Sequence, residues 1–342
     1  MLGKVIMKKI STHLIKEINL SNLRRVMKDI EVGTKPQIAE LTQLSVVTIN
    51  SLIKELVEQG EIAEDKMIPS NGGRPALTYR YNYNFSMALV IYMNVKQGKD
   101  TTSASVINLR EDILEKKEYH MPIFERESFY EMISYYLSRY PAIKVIGVGI
   151  PGQAIDGQII VSSHPNLQGV RMSEDIQSHF GIPVVLENDI NAAITGYCVK
   201  HESPQEQCIV GMYFPEKYCP GMGIHLNGQL IKGKHGMAGE IKFLPIDIDW
   251  ESDLSKDTFI ETLCHLVQTT NAILAPQQII LYQSYIQEEE WTPYWEAYQV
   301  KRAMPSYPEL MFLDSFHDDF EIGMKWLTFK ALEPFLSHIP NI

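Results

Sequence analysis

Cysteine is scarce in this chain. The four present, Cys198, Cys208, Cys219 and Cys264, form no CxxC pair and no close Cys–His grouping beyond the neighbours Cys264–His265. A disulfide framework is therefore not expected, and a reducing cytoplasm fits best. No apolar run reaches the roughly 18 residues of a membrane span. The opening MLGKVIMKKISTHLIKEI mixes Lys, Glu and Thr with its apolar residues, unlike a signal peptide. Low-complexity tracts and repeats of solenoid period are absent, which excludes fibres and repeat arrays. Uniform positive charge is absent too: the net charge is −11, against a uniformly basic nucleic-acid binder. The charge is unevenly spread. Residues 1–84 hold 12 Lys and Arg against 9 Asp and Glu, leaving 19 against 33 for residues 85–342. A small basic head on a large acidic body can direct DNA to one end. The length of 342 residues suits two or three domains, and a division into 1–84 and 85–342 is expected.

In the head, Leu20, Leu23, Val26, Met27 and Ile30 form one helical stripe, with Arg24, Arg25 and Lys28 on the wet side. Thr34 with Gln37 three residues later makes a capping box, and Pro36 tolerates a first turn. A short helix over 36–42 follows, with Ala39 small enough for a second helix to cross closely. Ser45 caps that second helix. Its Val47, Ile49, Leu52, Ile53, Leu56 and Val57 are expected inside, and Gly60 suits the C′ position. Two helices joined by a short turn are the helix-turn-helix pattern. β-like runs at 61–63 and 76–81 flank a turn-rich tip, Pro69-Ser70-Asn71-Gly72-Gly73, and read as a wing. This winged helix-turn-helix is expected to hold double-stranded DNA; a small helical domain for protein contacts is the plainer alternative. Base readout falls to Ser45, Thr48 and Asn50, with Val46 against a thymine methyl. Phosphate contacts fall to Lys35, Lys54, Arg24, Arg25 and the wing. Arg74, just past two glycines, is placed to reach a minor groove.

From Met87 the texture changes. MALVIYMNV and TSASVINL predict a hairpin, and 128–139 predicts a helix. KVIGVGIPG reads as a buried strand running into a loop. GIPVVLENDINAAITGYCV reads as strand, polar turn and helix. QCIVGMYF is a strand, and GMGIHLNGQLIKG is a hairpin turning at Asn227–Gly228. TFIETLCHLVQTTNAILAPQQIILYQ is a long helix, Pro276, then a strand. Alternating strands and helices imply an α/β body.

Open α/β sheets bind ligands at the carboxyl ends of their strands. Three candidates stand there. In Glu187-Asn188-Asp189, Asp189 opens a helix and is either ligand-facing or simply an N-cap. In Gly236-Met237-Ala238-Gly239-Glu240, Glu240 can accept from two hydroxyls, or the run merely turns ahead of a strand EIKFLPI. Gly149-Ile150-Pro151-Gly152 is a rigid turn that can line a cleft. The aromatic-rich segment EEEWTPYWEAYQV is either a helix packed on the body or a docking surface.

Taken together, these runs resemble the ROK family (repressors, open reading frames, kinases). The carrying motifs are Gly72-Gly73-Arg74-Pro75, the stretch VIGVGIPGQAIDGQIIVSSHPNL, ENDINAA, and GMGIHLNGQLIKGKHGMAGEI. The likeness covers roughly residues 20–285. It implies a winged helix-turn-helix followed by a two-lobed actin-like, sugar-kinase fold with a sugar in the cleft. By the same resemblance, Asn188 and Asp189 hold sugar hydroxyls, Asp189 being the base in the kinases. Glu240 is a further hydroxyl partner, with Gly152 and Asn166 completing the site.

The chain departs from the kinase pattern at its phosphate loops. Asn94 and Lys96 stand where the kinases carry Asp-x-Gly-Gly-Thr. Pro215-Glu216-Lys217-Tyr218-Cys219-Pro220 replaces a Gly-Thr-Gly-x-Gly run, and Ile279 to Ser284 lack a Gly-Gly near the adenosine. Phosphoryl transfer depends on cradling phosphates and placing Mg²⁺. The family's zinc site is also missing: Lys242-Phe243 replaces its His, and no cysteine comes before Cys264. No metal and no cofactor are expected. The expected function is a sequence-specific transcriptional regulator, a repressor of carbohydrate genes without kinase activity. Its partners would be an operator duplex, a sugar or sugar-derivative effector and a second copy of itself in a homodimer or larger assembly. An active sugar kinase using Asp189 as general base is one alternative, and a ligand-free scaffold is another.

Overall fold

The computed structural model describes residues 2–70, 73–96, 99–162, 164, 166–215, 219–250, 252 and 254–332. They divide into two compact units, one from the first 87 residues with Asn108–Asp112, the other from Ala88–Ile107 and Ile113–Ala331. No helix among the described residues is long and apolar enough to cross a membrane.

The first unit opens with α1 (Leu2–Ile30), β1 (Val32–Thr34), α2 (Lys35–Thr42) and α3 (Val46–Gln59), then β2 (Ile62–Ser70) and β3 (Gly73–Tyr81). The expected helical stripe is there: Leu20, Leu23, Val26 and Met27 are buried, though α1 starts well before it. Local signals set the next boundaries. The Thr34 hydroxyl accepts from the Gln37 N–H while the Gln37 side chain accepts from the Thr34 N–H, with Pro36 in the first turn. Ser45 caps α3 by accepting from the Thr48 N–H at 3.1 Å. Gly60 ends it at φ +81°, a left-handed backbone that favours glycine. One position departs from expectation. Val47 is 79% exposed, because at about 100° per residue it lies across the helix from Ile49, Leu52, Ile53 and Leu56, which are buried. The strands after α3 form a hairpin longer than its β-like runs indicate. β3 also pairs antiparallel with β1, giving the order β1-β3-β2. The hairpin tip Asn71–Gly72 lies outside the described residues, as does the Arg74 side chain.

The second unit holds two five-stranded sheets. The first contains β4 (Met87–Lys96), β5 (Lys99–Asn108) and β6 (Ile113–His120). After α4 (Arg126–Arg139) comes β7 (Ile143–Ile150), then a small hairpin of β8 (Gly152–Ile155) and β9 (Gln158–Ser162). After α5 (Met172–Phe180) comes β10 (Val184–Asn188), which leads into α6 (Asp189–Lys200). The sheet order is β10-β7-β4-β5-β6, with β10 parallel to β7. The second sheet follows with β11 (Cys208–Tyr213), β12 (Gly221–Leu226) and β13 (Gln229–Leu230). α7 (Lys256–Leu274), β14 (Gln278–Tyr282), α8 (Glu288–Lys301), β15 (Glu309–Leu313) and α9 (Phe316–Leu332) complete it. Its order is β13-β12-β11-β14-β15, parallel from β11 through β15.

Two helices cross between the sheets, and glycine lets them touch. α6 lies on the second sheet, where a Cβ on Gly223 would meet the Ile190 carbonyl at 2.8 Å. α9 lies on the first, where a Cβ on Gly149 would meet the Phe320 ring at 2.7 Å. At their crossing a Cβ on Gly323 would fall 1.8 Å from the Ala192 carbonyl. The segment EEEWTPYWEAYQV is α8, with Trp291 and Trp295 stacked 5.1 Å apart inside the second sheet's core. EIKFLPI is not a strand: Ile241–Phe243 make a single 3₁₀ turn.

Candidate functional site

A cavity of about 740 Å³ opens at the carboxyl ends of both sheets of the second unit. The register Asn188↔Ile150 sets the end of β10 beside the Pro151-Gly152 turn. Gly152 has φ +145°, and a Cβ there would come 2.2 Å from the Val161 carbonyl, so only glycine fits between the turn and β9. The next residue, Gln153, is buried, and its amide donates to the Gly236 carbonyl at 2.8 Å. The β8–β9 hairpin is thereby pinned to the Gly236–Glu240 loop. Glycine and proline drew attention to that turn in the sequence; a glutamine one position on carried no such signal.

Asn188, rather than Asp189, is the N-cap of α6. Its side-chain oxygen accepts from the Asn191 N–H at 2.8 Å. Asp189 is the first helical residue and accepts from the Ile190 N–H at 2.8 Å. Burial pushes the Asp189 carboxyl up to about 7, and the nearby Glu240 carboxylate adds to the push. Burial also raises Glu240, opposed by the Lys242 ammonium 3.8 Å away. Beneath them, the buried Glu187 accepts from Lys232 at 2.6 Å and from the Asn191 amide at 3.1 Å. Asn188, Asp189, Glu240 and Gly152 all line the cavity. Asn166 does not: it is exposed, at φ +67°, and absent from the lining. A carboxylate that titrates near neutrality beside a second carboxylate and an amide can accept from or donate to the hydroxyls of a polyol.

The opposite end of the cavity is different. Tyr213, at the end of β11, lies flat on Phe316 with ring centroids 3.6 Å apart and planes 10° apart. Asn94 is buried, and its side-chain oxygen accepts from the Thr101 hydroxyl. Phe214, Pro215, Cys219 and Pro220 form the described part of the loop between β11 and β12 that borders the cavity; residues 216–218 lie outside the described residues, as do the side chains of Val95 and Lys96. The zinc fit fails on its chemistry, because Lys242 offers an ammonium where the resemblance assigns a ligand. Among the described residues no three His, Cys, Asp or Glu side chains come together to hold a metal ion.

In the first unit, the exposed start of α3 presents Ser45, Val46 and Asn50, with Lys54 one turn on. Thr48 is half-buried and shares a hydrogen bond with the Ser45 hydroxyl at 2.9 Å. Lys35 sits 5.2 Å over the Tyr79 ring. Arg24, expected at a phosphate, is instead held by the buried Glu61 at 2.8 and 3.0 Å. Arg25 donates to the Asn22 side chain at 2.9 Å.

A family model described as the ROK family matches residues 92–265. The xylose repressor of Bacillus spizizenii is 24% identical over 287 residues, which span 78% of this chain and 72% of the repressor. Among solved structures, a ROK family transcriptional regulator, a homolog of the E. coli MLC protein, superposes with a TM-score of 0.58 at 15% identity. That match covers 93% of this chain and 98% of the regulator. A ROK hexokinase from Thermus thermophilus reaches 0.56 at 15% identity, covering 72% of this chain and 99% of the hexokinase.

Proposed function

The chain belongs to the ROK family, and on that premise we propose that it is a sequence-specific DNA-binding repressor of carbohydrate genes. In this reading residues 1–84 are a winged helix-turn-helix and residues 85–342 a two-lobed sensor that binds a sugar or sugar derivative without phosphorylating it. The carrying observation is the α3 start. It leaves Ser45, Val46 and Asn50 exposed on a helix whose other face is buried, followed at once by a β hairpin. A helix of that kind enters a major groove, where an asparagine pairs bidentately with adenine. Lys35 and Lys54 supply phosphate contacts in this reading, and the minor-groove contact expected from the sequence is assigned to Arg74. The repressor name of the xylose relative supports the same reading. Electrophoretic shift or footprinting on the chain's own upstream region tests it. Salt-sensitive, sequence-preferring binding is expected, and indifference to duplex DNA overturns it.

The sensor reading rests on Asn188, Asp189 and Glu240 converging on one cavity, and on the nucleotide end being walled by Tyr213, Phe316 and two prolines instead of glycine N–H groups. One observation favours a second reading, an active sugar kinase: a carboxyl raised to about 7 at Asp189 suits a general base. Coupled ADP release across hexoses, with Asp189→Asn as control, separates the two. Turnover that vanishes in D189N selects the kinase; no turnover in either protein selects the sensor.

A further inference from the structure

We infer that the turn between β5 and β6 couples sugar binding to operator binding, with Arg110 as its positioning residue and the Arg110–Glu31 ion pair as the link that carries the signal. The inference rests on the sugar-responsive repressor reading and names the regulation of that same site. The turn, Asn108–Asp112, belongs to the first unit, although both strands that it joins run on into the second. It is fixed internally: the Asn108 side-chain oxygen accepts from the Arg110 and Asp112 N–H groups at 2.9 and 3.0 Å. Within the first unit it is tied to the end of α1 and to the segment after β3. The Leu109 N–H donates to the Tyr83 carbonyl at 2.9 Å. The Asn108 amide donates to the Asn84 side chain at 3.0 Å. The Arg110 guanidinium lies 4.2 Å from the centre of the Tyr83 ring and pairs with the Glu31 carboxylate. The same segment holds the ends of two helices. The Tyr83 hydroxyl donates to the Lys28 carbonyl in the last turn of α1 at 2.5 Å, and the Tyr81 N–H donates to the Glu31 carbonyl at 2.9 Å. The Asn82 amide donates to the carbonyl of Gly60, the C-cap of α3, at 3.0 Å. A few residues thus gather the turn, the end of α1 and the end of the helix that presents Ser45, Val46 and Asn50.

The same strands reach the cavity at their other end. β4 and β5 are neighbours in the sheet and only two residues join them, so they form an antiparallel hairpin. Asn108 therefore stands beside the start of β4, while Met93, near the far end of β4, lines the cavity. At about 3.3 Å per residue the hairpin covers about 20 Å from Met87 to Met93. β5 is buried from Thr102 to Asn108, and a close-packed strand transmits a displacement instead of absorbing it. The last link is one that can be made and broken. Arg110 and Glu31 are both exposed, and an exposed ion pair adds little to stability. The Arg24 pair in the same unit is the contrast, since its partner Glu61 is buried and it makes a fixed brace.

The test is operator affinity of the full chain on its own upstream region, by fluorescence anisotropy, with and without xylose, glucose, N-acetylglucosamine, cellobiose or maltose. In the wild type at least one sugar is expected to change that affinity by about fivefold or more. Arg110→Glu and Glu31→Arg, each alone, should bring the ratio to about one, and the two exchanges together should recover it. Calorimetry should find the same sugar still bound by every variant, which separates lost coupling from a damaged cavity. Arg110→Ala and Glu31→Ala take the place of a reversal that thermal unfolding shows to be misfolded. A ratio unchanged in the folded single variants, a loss that the double exchange does not recover, or a loss of sugar binding in the variants overturns the inference and leaves the repressor reading intact. A wild-type chain whose operator binding none of the five sugars alters overturns the sensor reading and the inference with it.

Discussion

Asp189 carries a charge balance that is open to measurement. Its carboxyl is raised from 3.8 to about 7 by burial and by Glu240. The folded state therefore holds a proton that the unfolded chain gives up near pH 4. Stability linked to this group is fully present below pH 4 and is lost as pH rises through 7. Asp189→Asn removes the dependence. The stability of the wild-type chain relative to D189N should fall between pH 4 and 7, by up to about 1.4 kcal/mol per pH unit, and level off above pH 8. Urea unfolding of both proteins at pH 5, 6, 7 and 8 reads it, and parallel profiles would refute the buried, proton-holding carboxyl. On α3, Asn50 is exposed and makes no cap or core contact that the helix needs. Asn50→Ala should leave stability within about 0.5 kcal/mol and weaken operator binding by about 1–3 kcal/mol, with non-specific duplex affinity unchanged. Equal losses on operator and random duplex would assign Asn50 to backbone contact.

Helix ends and close helix crossings set the positions of these side chains, and the two were unequally legible in the sequence. Thr34 with Gln37, Ser45 and Gly60 are local signals, and each sits where its spacing placed it. The ENDINAA segment likewise fell at a strand–helix junction, although the capping role belongs to Asn188 and not to Asp189. EIKFLPI shows the limit of local pattern: its apolar residues suit a strand, yet a 3₁₀ turn at Ile241–Phe243 carries Ile241 into the core without one. Asn166 sits in a stretch that resembles the family's, but at φ +67° it is exposed and absent from the cavity lining. Gln153 and the Tyr213–Phe316 stack join residues far apart in the chain, which no spacing records. The same is true of the contact between α6 and α9. Gly323→Ala improves helix propensity by up to about 1 kcal/mol, but its Cβ would sit 1.8 Å from the Ala192 carbonyl, a backbone atom that cannot swing aside. Crowding should win, with a net loss of about 2 kcal/mol in chemical unfolding. A gain in stability would show that the helices separate freely.

For the whole chain, a repressor requires that sugar and operator influence each other, and thermodynamics fixes the form of that influence. A ligand moves an equilibrium only through its different affinity for the two states. If sugar weakens operator binding by some factor, operator must weaken sugar binding by the same factor. On the proposed function, Lys and Arg of the basic head would make the DNA term salt-dependent, because each phosphate neutralised releases a counterion, whereas an uncharged sugar at Asp189 and Glu240 would release none. The two affinities can thus be tuned separately: salt lowers operator affinity and should leave the coupling factor nearly unchanged. The measurement is a closed cycle: operator affinity with and without saturating sugar, and sugar affinity with and without saturating operator, each at two salt concentrations. A coupling of 1–3 kcal/mol, equal from both directions, is expected. D189N should reduce that coupling toward zero while retaining operator affinity, since Asp189 lies in the sensor body and Asn50 on α3. If the sugar binds and the coupling is nil, the cavity serves some other purpose than control of DNA binding, and the repressor would have to be switched by a different ligand.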